Sequence, residues 1–238
     1  MSGGQPTLVF VPGLISDDTV WRPAADMLDP YPVAFADVTQ AVSINAMAES
    51  VLAVHPGRLL VAGHSMGGRV ALEMARMAPE RIGGLALFNT GHHPRKEGEE
   101  AKRQHFIDLA NNRGMESLLD EWLPPMVDAS RHSDVTLMTA LRRMAGAMTP
   151  EIHERQLRAL LGRPDAMLYM ADIHCPVLVA VGRQDGWSPP AQHQQIAEAL
   201  PNARLVIIEN AGHFAPIEQP AAAAAALREW LETVKETA

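Results

Sequence analysis

Apolar positions along the chain follow two spacings. Short, nearly continuous runs rich in Val, Leu and Phe (Leu8 to Pro12, Tyr31 to Asp37, Arg58 to Gly63, Ile82 to Asn89, Val177 to Val181 and Arg204 to Glu209) read as strands buried on both faces. Between them, apolar residues recur at helical spacing. Ile44, Met47, Ala48, Val51 and Leu52 form one stripe, and Val70, Met74 and Met77 a second. Leu227, Trp230, Leu231 and Val234 form a third behind the alanine run Ala221 to Ala226, which favours a helix. The alternation predicts an α/β class protein: a mostly parallel sheet of about six strands flanked by helices.

The rhythm breaks between His92 and about Ile173, where every candidate element is helical: Glu97 to Asn111, Met115 to Trp122, Val135 to Met148 and Glu151 to Leu161. Pro124-Pro125, Gly162 and Pro164 punctuate them. Because this stretch leaves after the fourth strand and returns before the fifth, it reads as an insertion over one end of the sheet. It carries Met115, Met126, Met138, Met144, Met148, Met167 and Met170, seven of the 13 methionines. Such flexible side chains suit a lid over an apolar ligand, and ordinary packing between the inserted helices accounts for them as well.

Composition narrows the class. A chain of 238 residues with 47 % hydrophobic and 20 % charged residues fits one domain that folds alone. The net charge of −8 disfavours nucleic acid as a partner. The single Cys175 permits no internal disulfide, and its place beside Pro176 at a strand start marks it as inert. Neither a charged leader nor an apolar stretch of about 18 residues is present, so the expectation is a soluble cytoplasmic protein without membrane contact.

Gly63-His64-Ser65-Met66-Gly67 follows the third strand and opens a helix, the strand-turn-helix setting of a G-x-S-x-G nucleophile elbow. A bare glycine-rich connection with a capping serine would give the same letters. The elbow reading adds a reason for the glycines, since side chains at Gly63 or Gly67 would crowd the adjoining elements. A serine hydroxyl needs a base, usually an imidazole held by a carboxylate. His213, in Asn210-Ala211-Gly212-His213-Phe214 after the sixth strand, falls at the same sheet edge as Ser65. Asp185 after the fifth strand supplies the acid in the chain order Ser, Asp, His, although alone it would also suit a turn before Gly186. Asn89 and Thr90 end the fourth strand without a carboxylate. Backbone N–H groups of Met66 and Leu14 are the natural donors to a developing oxyanion.

Leu8 to Gly13 with Trp21, Gly63 to Gly68, Gly182 to Asp185, and Gly212-His213 with Pro216 and Pro220 together resemble the landmarks of the α/β-hydrolase superfamily over nearly the full chain. The resemblance implies a hydrolase core of 1–91 and 174–238 and a helical cap of 92–173 that shapes the pocket. Two departures stand out: Pro12-Gly13 replaces the usual His-Gly, and the family's N-terminal hairpin is expected to be missing. Serine rather than aspartate at the elbow argues against a carboxylate nucleophile, so carboxylester hydrolysis leads, with thioester and lactone as variants.

Arg69, in Gly63 to Arg69, also resembles the elbow of the menaquinone-pathway lyase of this superfamily, where the arginine helps hold an anionic substrate; Arg69 could equally cover the sheet edge or pair with a carboxylate. The cap arginines Arg103, Arg142 and Arg143 could add cationic contacts or simply be solvated. A non-catalytic ligand receptor is a third possibility for the same scaffold. Trp21, Trp122, Trp187 and Phe214, with Met144 and Met148, are the remaining candidates for the walls of a small-molecule pocket, although large aromatics are as often core. His92-His93 could line its mouth, and the pair matches no metal-ligand spacing. No nucleotide-binding glycine pattern is present, so neither metal nor cofactor is implied. The oligomeric state is not legible.

Overall fold

Six strands, Thr7–Val11 (β1), Val33–Phe35 (β2), Leu59–His64 (β3), Ile82–Phe88 (β4), Val177–Gly182 (β5) and Ala203–Ile208 (β6), form one sheet in the computed structural model, which describes residues 6–237. The helices are α1 (Arg22–Ala25), α2 (Ile44–Val54), α3 (Met66–Met77), α4 (Glu99–Trp122), α5 (Val135–Gly146), α6 (Pro150–Leu161), α7 (Pro190–Ala199), α8 (Ala215–Glu218) and α9 (Pro220–Glu236). The sheet order is β2-β1-β3-β4-β5-β6 and every pairing is parallel.

The strands are apolar at consecutive positions because both faces are covered. Leu8 and Phe10 of β1 point into one core with Ala62, Phe88 and Ala180, closed by α1 and α9. Val9 and Val11 point into the other with Val61, Leu87 and Val179, closed by α2, α3 and α7. The third predicted stripe does its expected work, as Leu227, Trp230, Leu231 and Val234 are all buried against the first of these cores.

The helical insertion lies between β4 and β5, as its pattern predicts. The two helices expected over 97–111 and 115–122 are one run in the structure, kinked at Gly114 (φ +83°, ψ 168°). Asp134 and Thr149 cap α5 and α6, each accepting a backbone N–H three residues on. The insertion has its own core, in which Leu118, Leu119, Trp122, Leu141 and Met144 pack with Ile15 and Phe214 from the sheet domain. Leu157 and Leu160 of α6 instead join the sheet-side core. The insertion is therefore seated on the sheet domain through two apolar contacts. Among the described residues no helix is long and apolar enough to cross a membrane.

This arrangement corrects the reading of the methionines. Met144 is 3 % exposed and Met148 packs beside it, both filling the insertion's own core rather than the pocket wall. Of the seven methionines in the insertion, Met126 alone lines the central cavity; Met170 is buried in the sheet-side core and Met167 is exposed.

Candidate active site

Ser65 sits between the last residue of β3 and the first of α3 with φ 55° and ψ −114°. Few non-glycine residues adopt this region, so surrounding bonds must hold it. Ser65 N–H donates to the Phe88 carbonyl (2.9 Å), and the Thr90 hydroxyl donates to the Ser65 carbonyl (2.7 Å). The flanking glycines allow the turn. A Cβ on Gly63 would collide with the Gly67 backbone, and one on Gly67 with the Val11 carbonyl.

The Ser65 hydroxyl donates to His213 Nε2 (2.8 Å), and His213 Nδ1–H donates to Asp185 Oδ2 (2.9 Å). Asp185 also accepts from the backbone N–H groups of Trp187 (2.9 Å) and Ser188 (2.8 Å) and from Asn89 Nδ2 (2.9 Å). Burial pushes the Asp185 carboxyl up, but the adjacent His213 and these donors more than reverse it, holding it below the usual carboxylate range. The acid is thus an ionised, fully ligated partner for the imidazole.

His213 is fixed through its backbone as well. His213 N–H donates to the Met126 carbonyl (2.7 Å), and its carbonyl accepts from His64 Nε2 (2.7 Å). Burial drives the His64 imidazole down to about 3, so it is neutral, and the carbonyl partner places its proton on Nε2. Asn89, in the left-handed region at φ 50°, bridges Asp185 and the Gly212 carbonyl (3.0 Å) with one amide nitrogen. The strand end that lacks a carboxylate therefore supplies the donor that ties Asp185 to the loop of His213. Sequence reasoning missed His64 and Asn89 in these roles, because neither differs in pattern from an ordinary turn residue.

Leu14 and Met66 both border the cavity above Ser65, and among the described residues their N–H groups have no acceptor. The Leu14 turn is held from the insertion: Ile15, at φ 43°, donates its N–H to Oε1 of the fully buried Gln156 on α6 (2.7 Å).

The cavity around Ser65 has a volume of about 400 Å³. Leu14, Phe106, Trp122, Met126, Leu157 and Phe214 give it an apolar wall, and Trp187, 51 % exposed, stands among its lining residues. Arg69 also lines it, partly buried, with its guanidinium bonded to the His93 carbonyl (3.0 Å). No carboxylate pairs with Arg69 among the described residues, so of the readings open to it the pairing with a carboxylate does not hold. Burial, then the nearby Arg163 and Arg103, pull Arg69 down to about 9. Arg163, with a side chain 1 % exposed, grips Glu99 through both terminal nitrogens (2.6 Å each), and Arg103 Nε adds a third bond (2.8 Å). Two of the three arginines here, Arg103 and Arg163, share one carboxylate.

Trp21 departs from its expected place. It is fully buried, donates Nε1–H to the Val11 carbonyl (3.2 Å), and packs on Phe10 and Phe88 within the sheet core. Arg142 lies outside the cavity, paired with Glu116 and Asp120 on the surface. His93 borders the cavity, whereas His92 lies buried beside it. Arg163 and His153 are wall residues that periodicity gave no means to find. His153 is 1 % exposed and neither ring nitrogen has a partner in the structure.

A parallel sheet with a helical insertion after β4, and Ser, Asp and His on three loops at its carboxyl edge, define a hydrolase-type site. The profile of the Alpha/beta hydrolase family matches residues 8–227, and the chain belongs to that family of enzymes. It is 26 % identical over 253 residues to 2-succinyl-6-hydroxy-2,4-cyclohexadiene-1-carboxylate synthase of Klebsiella pneumoniae (96 % of this chain, 94 % of that one). It is 27 % identical over 231 residues to pimeloyl-[acyl-carrier protein] methyl ester esterase of Nitrosomonas europaea (89 % and 90 %). Among solved structures, a thermophilic esterase from Thermogutta terrifontis with malate bound superimposes with a TM-score of 0.88 at 27 % identity, covering 98 % of this chain and 91 % of that one.

Proposed function

We propose that the protein hydrolyses a small to medium carboxylic ester, thioester or lactone through an acyl-enzyme on Ser65, with the segment 92–173 as the cap that selects the substrate. The observation that carries this reading is the continuous Ser65–His213–Asp185 hydrogen-bond relay, 2.8 and 2.9 Å, on the border of a cavity of about 400 Å³. His213 takes the hydroxyl proton as Ser65 Oγ bonds to the carbonyl carbon, and the carbonyl π pair moves onto oxygen, toward the N–H groups of Leu14 and Met66. Collapse breaks the ester bond, and His213 protonates the leaving alkoxide. Water then attacks the acyl-enzyme with His213 as base, releasing the acid and restoring Ser65. The methyl ester esterase and the Thermogutta esterase among the similar proteins support ester chemistry.

Arg69 favours a second reading. A guanidinium without a carboxylate partner inside the cavity suits an anionic substrate, on which the same relay would act as a base for elimination without consuming water. The similar synthase, whose product is named as a carboxylate, supports it. Fluorophosphonate labelling tests the first reading. We expect covalent modification of Ser65 and turnover of short-chain esters, both abolished in Ser65→Ala. An unlabelled wild-type protein overturns ester hydrolysis, and pyruvate release without water uptake would establish the elimination.

A further inference from the structure

Glu218, at the end of α8, is 1 % exposed, yet no arginine, lysine or histidine pairs with it among the described residues. Its carboxylate is spent on backbone. It accepts the N–H groups of Gly212 (3.0 Å to each oxygen) and Phe214 (3.0 Å), which flank His213, and that of Asp128 on the insertion (2.9 Å). The remaining N–H of the loop, that of His213, goes to the insertion through the Met126 carbonyl. Three consecutive N–H groups around the base are therefore consumed by one buried carboxylate and one inserted segment.

The two backbones run so close that a Cβ on Gly212 would lie 2.7 Å from both Asp128 N and the Met126 carbonyl. Arg131, one turn further along the insertion, donates to the Glu218 carbonyl (2.6 Å) and closes the same junction. Burial and the neighbouring Asp128 push the Glu218 carboxyl up against the three N–H groups that favour its charge. An apolar residue of the same volume would leave the N–H groups of Gly212, Phe214 and Asp128 without this acceptor, so the carboxylate is what joins the two backbones.

We propose that Glu218 is a positioning residue that clamps the His213 loop to the inserted segment Met126–Asp128, so that the cap sets the place of the base as well as the wall of the pocket. The proposal rests on the reading of His213 as the general base. A shift of about 1 Å in such a group costs on the order of a hundredfold in rate, so the clamp acts on turnover more than on substrate affinity.

Two variants test it. Glu218→Gln keeps the shape and turns one acceptor oxygen into a donor facing an N–H. Asp128→Pro deletes the inserted N–H at a residue whose φ of −54°, after an extended Val127, already suits proline. Asp128→Ala serves as the control that removes the side-chain cap of the following turn and the charge beside Glu218 but keeps the inserted N–H. We expect kcat for a short-chain ester to fall about tenfold to a hundredfold in Glu218→Gln and Asp128→Pro with KM within about threefold, and a much smaller loss in Asp128→Ala. The downfield proton resonance of the His213 Nδ1–H, read without substrate and well below the unfolding temperature, should move or broaden in the first two variants only. Folded variants with unchanged kcat and an unchanged resonance overturn the clamp. A resonance altered in those two variants, together with a wild type that cleaves no ester, would leave the clamp standing while removing the hydrolase reading.

Discussion

Around the relay, Asp185 takes four hydrogen bonds, and His213 is held through both ring nitrogens, its N–H and its carbonyl. On the insertion side of the same cavity, Arg103 and Arg163 share Glu99, while among the described residues Arg69 bonds a carbonyl and no carboxylate, and neither ring nitrogen of His153 has a partner. The Ser65, His213 and Asp185 side chains are all partnered, with single unpartnered atoms beside them at His64 Nδ1 and Asn89 Oδ1; in the second region a whole imidazole is unpartnered and a guanidinium has no counter-ion. A buried polar group without a partner costs roughly 1–3 kcal/mol, so the fold carries that cost on both sides of the cavity, at single atoms beside the relay and at the whole His153 imidazole on the insertion side. On the function proposed above, the partnered relay is preorganised for reaction and Arg69 is a reserve for recognition.

The largest expected effect breaks the satisfied side. Asp185→Asn offers His213 an amide N–H in place of an acceptor, favours the wrong tautomer and should lower ester kcat about 10⁴-fold with the fold intact, measurable by steady-state kinetics. A loss of less than tenfold would mean that the carboxylate does not orient the base. Next comes the reserve itself. In Arg69→Gln, kcat/KM for a hemi-ester bearing a free carboxylate should fall about tenfold to a hundredfold relative to a neutral ester of the same length. Equal losses on the two substrates would reduce Arg69 to packing.

The smallest effect concerns His153, whose imidazole burial drives down to about 4 from the usual 6.5. Because the folded state resists this proton, the stability it contributes is present above about pH 6.5 and is lost as pH falls toward about 4. His153→Leu should be within about 1 kcal/mol of wild type at neutral pH and should lose less of its stability on acidification, by about 2 kcal/mol near pH 5. Urea midpoints at the two pH values measure this, and parallel losses in both proteins would show that the imidazole binds its proton as freely in the fold as outside it.

What could be read from the residues follows from how local each signal is. The strands were legible because both faces of a parallel sheet are apolar, which leaves runs such as Leu59 to Ala62 with no polar alternation. Ser65 was legible because its glycines are demanded by close backbone approach within a few residues of it. Asp185 and His213 were legible by chain order and by their places after strands. Trp21, Met144 and Met148 were misread for the converse reason: an aromatic or thioether side chain looks alike in a core and in a pocket wall, and only packing around it tells the two apart.

The sequence by itself determined the class of fold, the insertion after β4 and the edge of the sheet at which Ser65, Asp185 and His213 emerge, since these depend on periodicity and on turns of a few residues. Tertiary structure alone decided which groups serve them. Asn89 lies 96 residues from Asp185, His64 149 residues from His213, and Gln156 141 residues from Ile15. Each is an unremarkable residue in its own segment. Contacts across such separations are set by how the insertion settles on the sheet, through interleaved side chains whose fit no local pattern encodes.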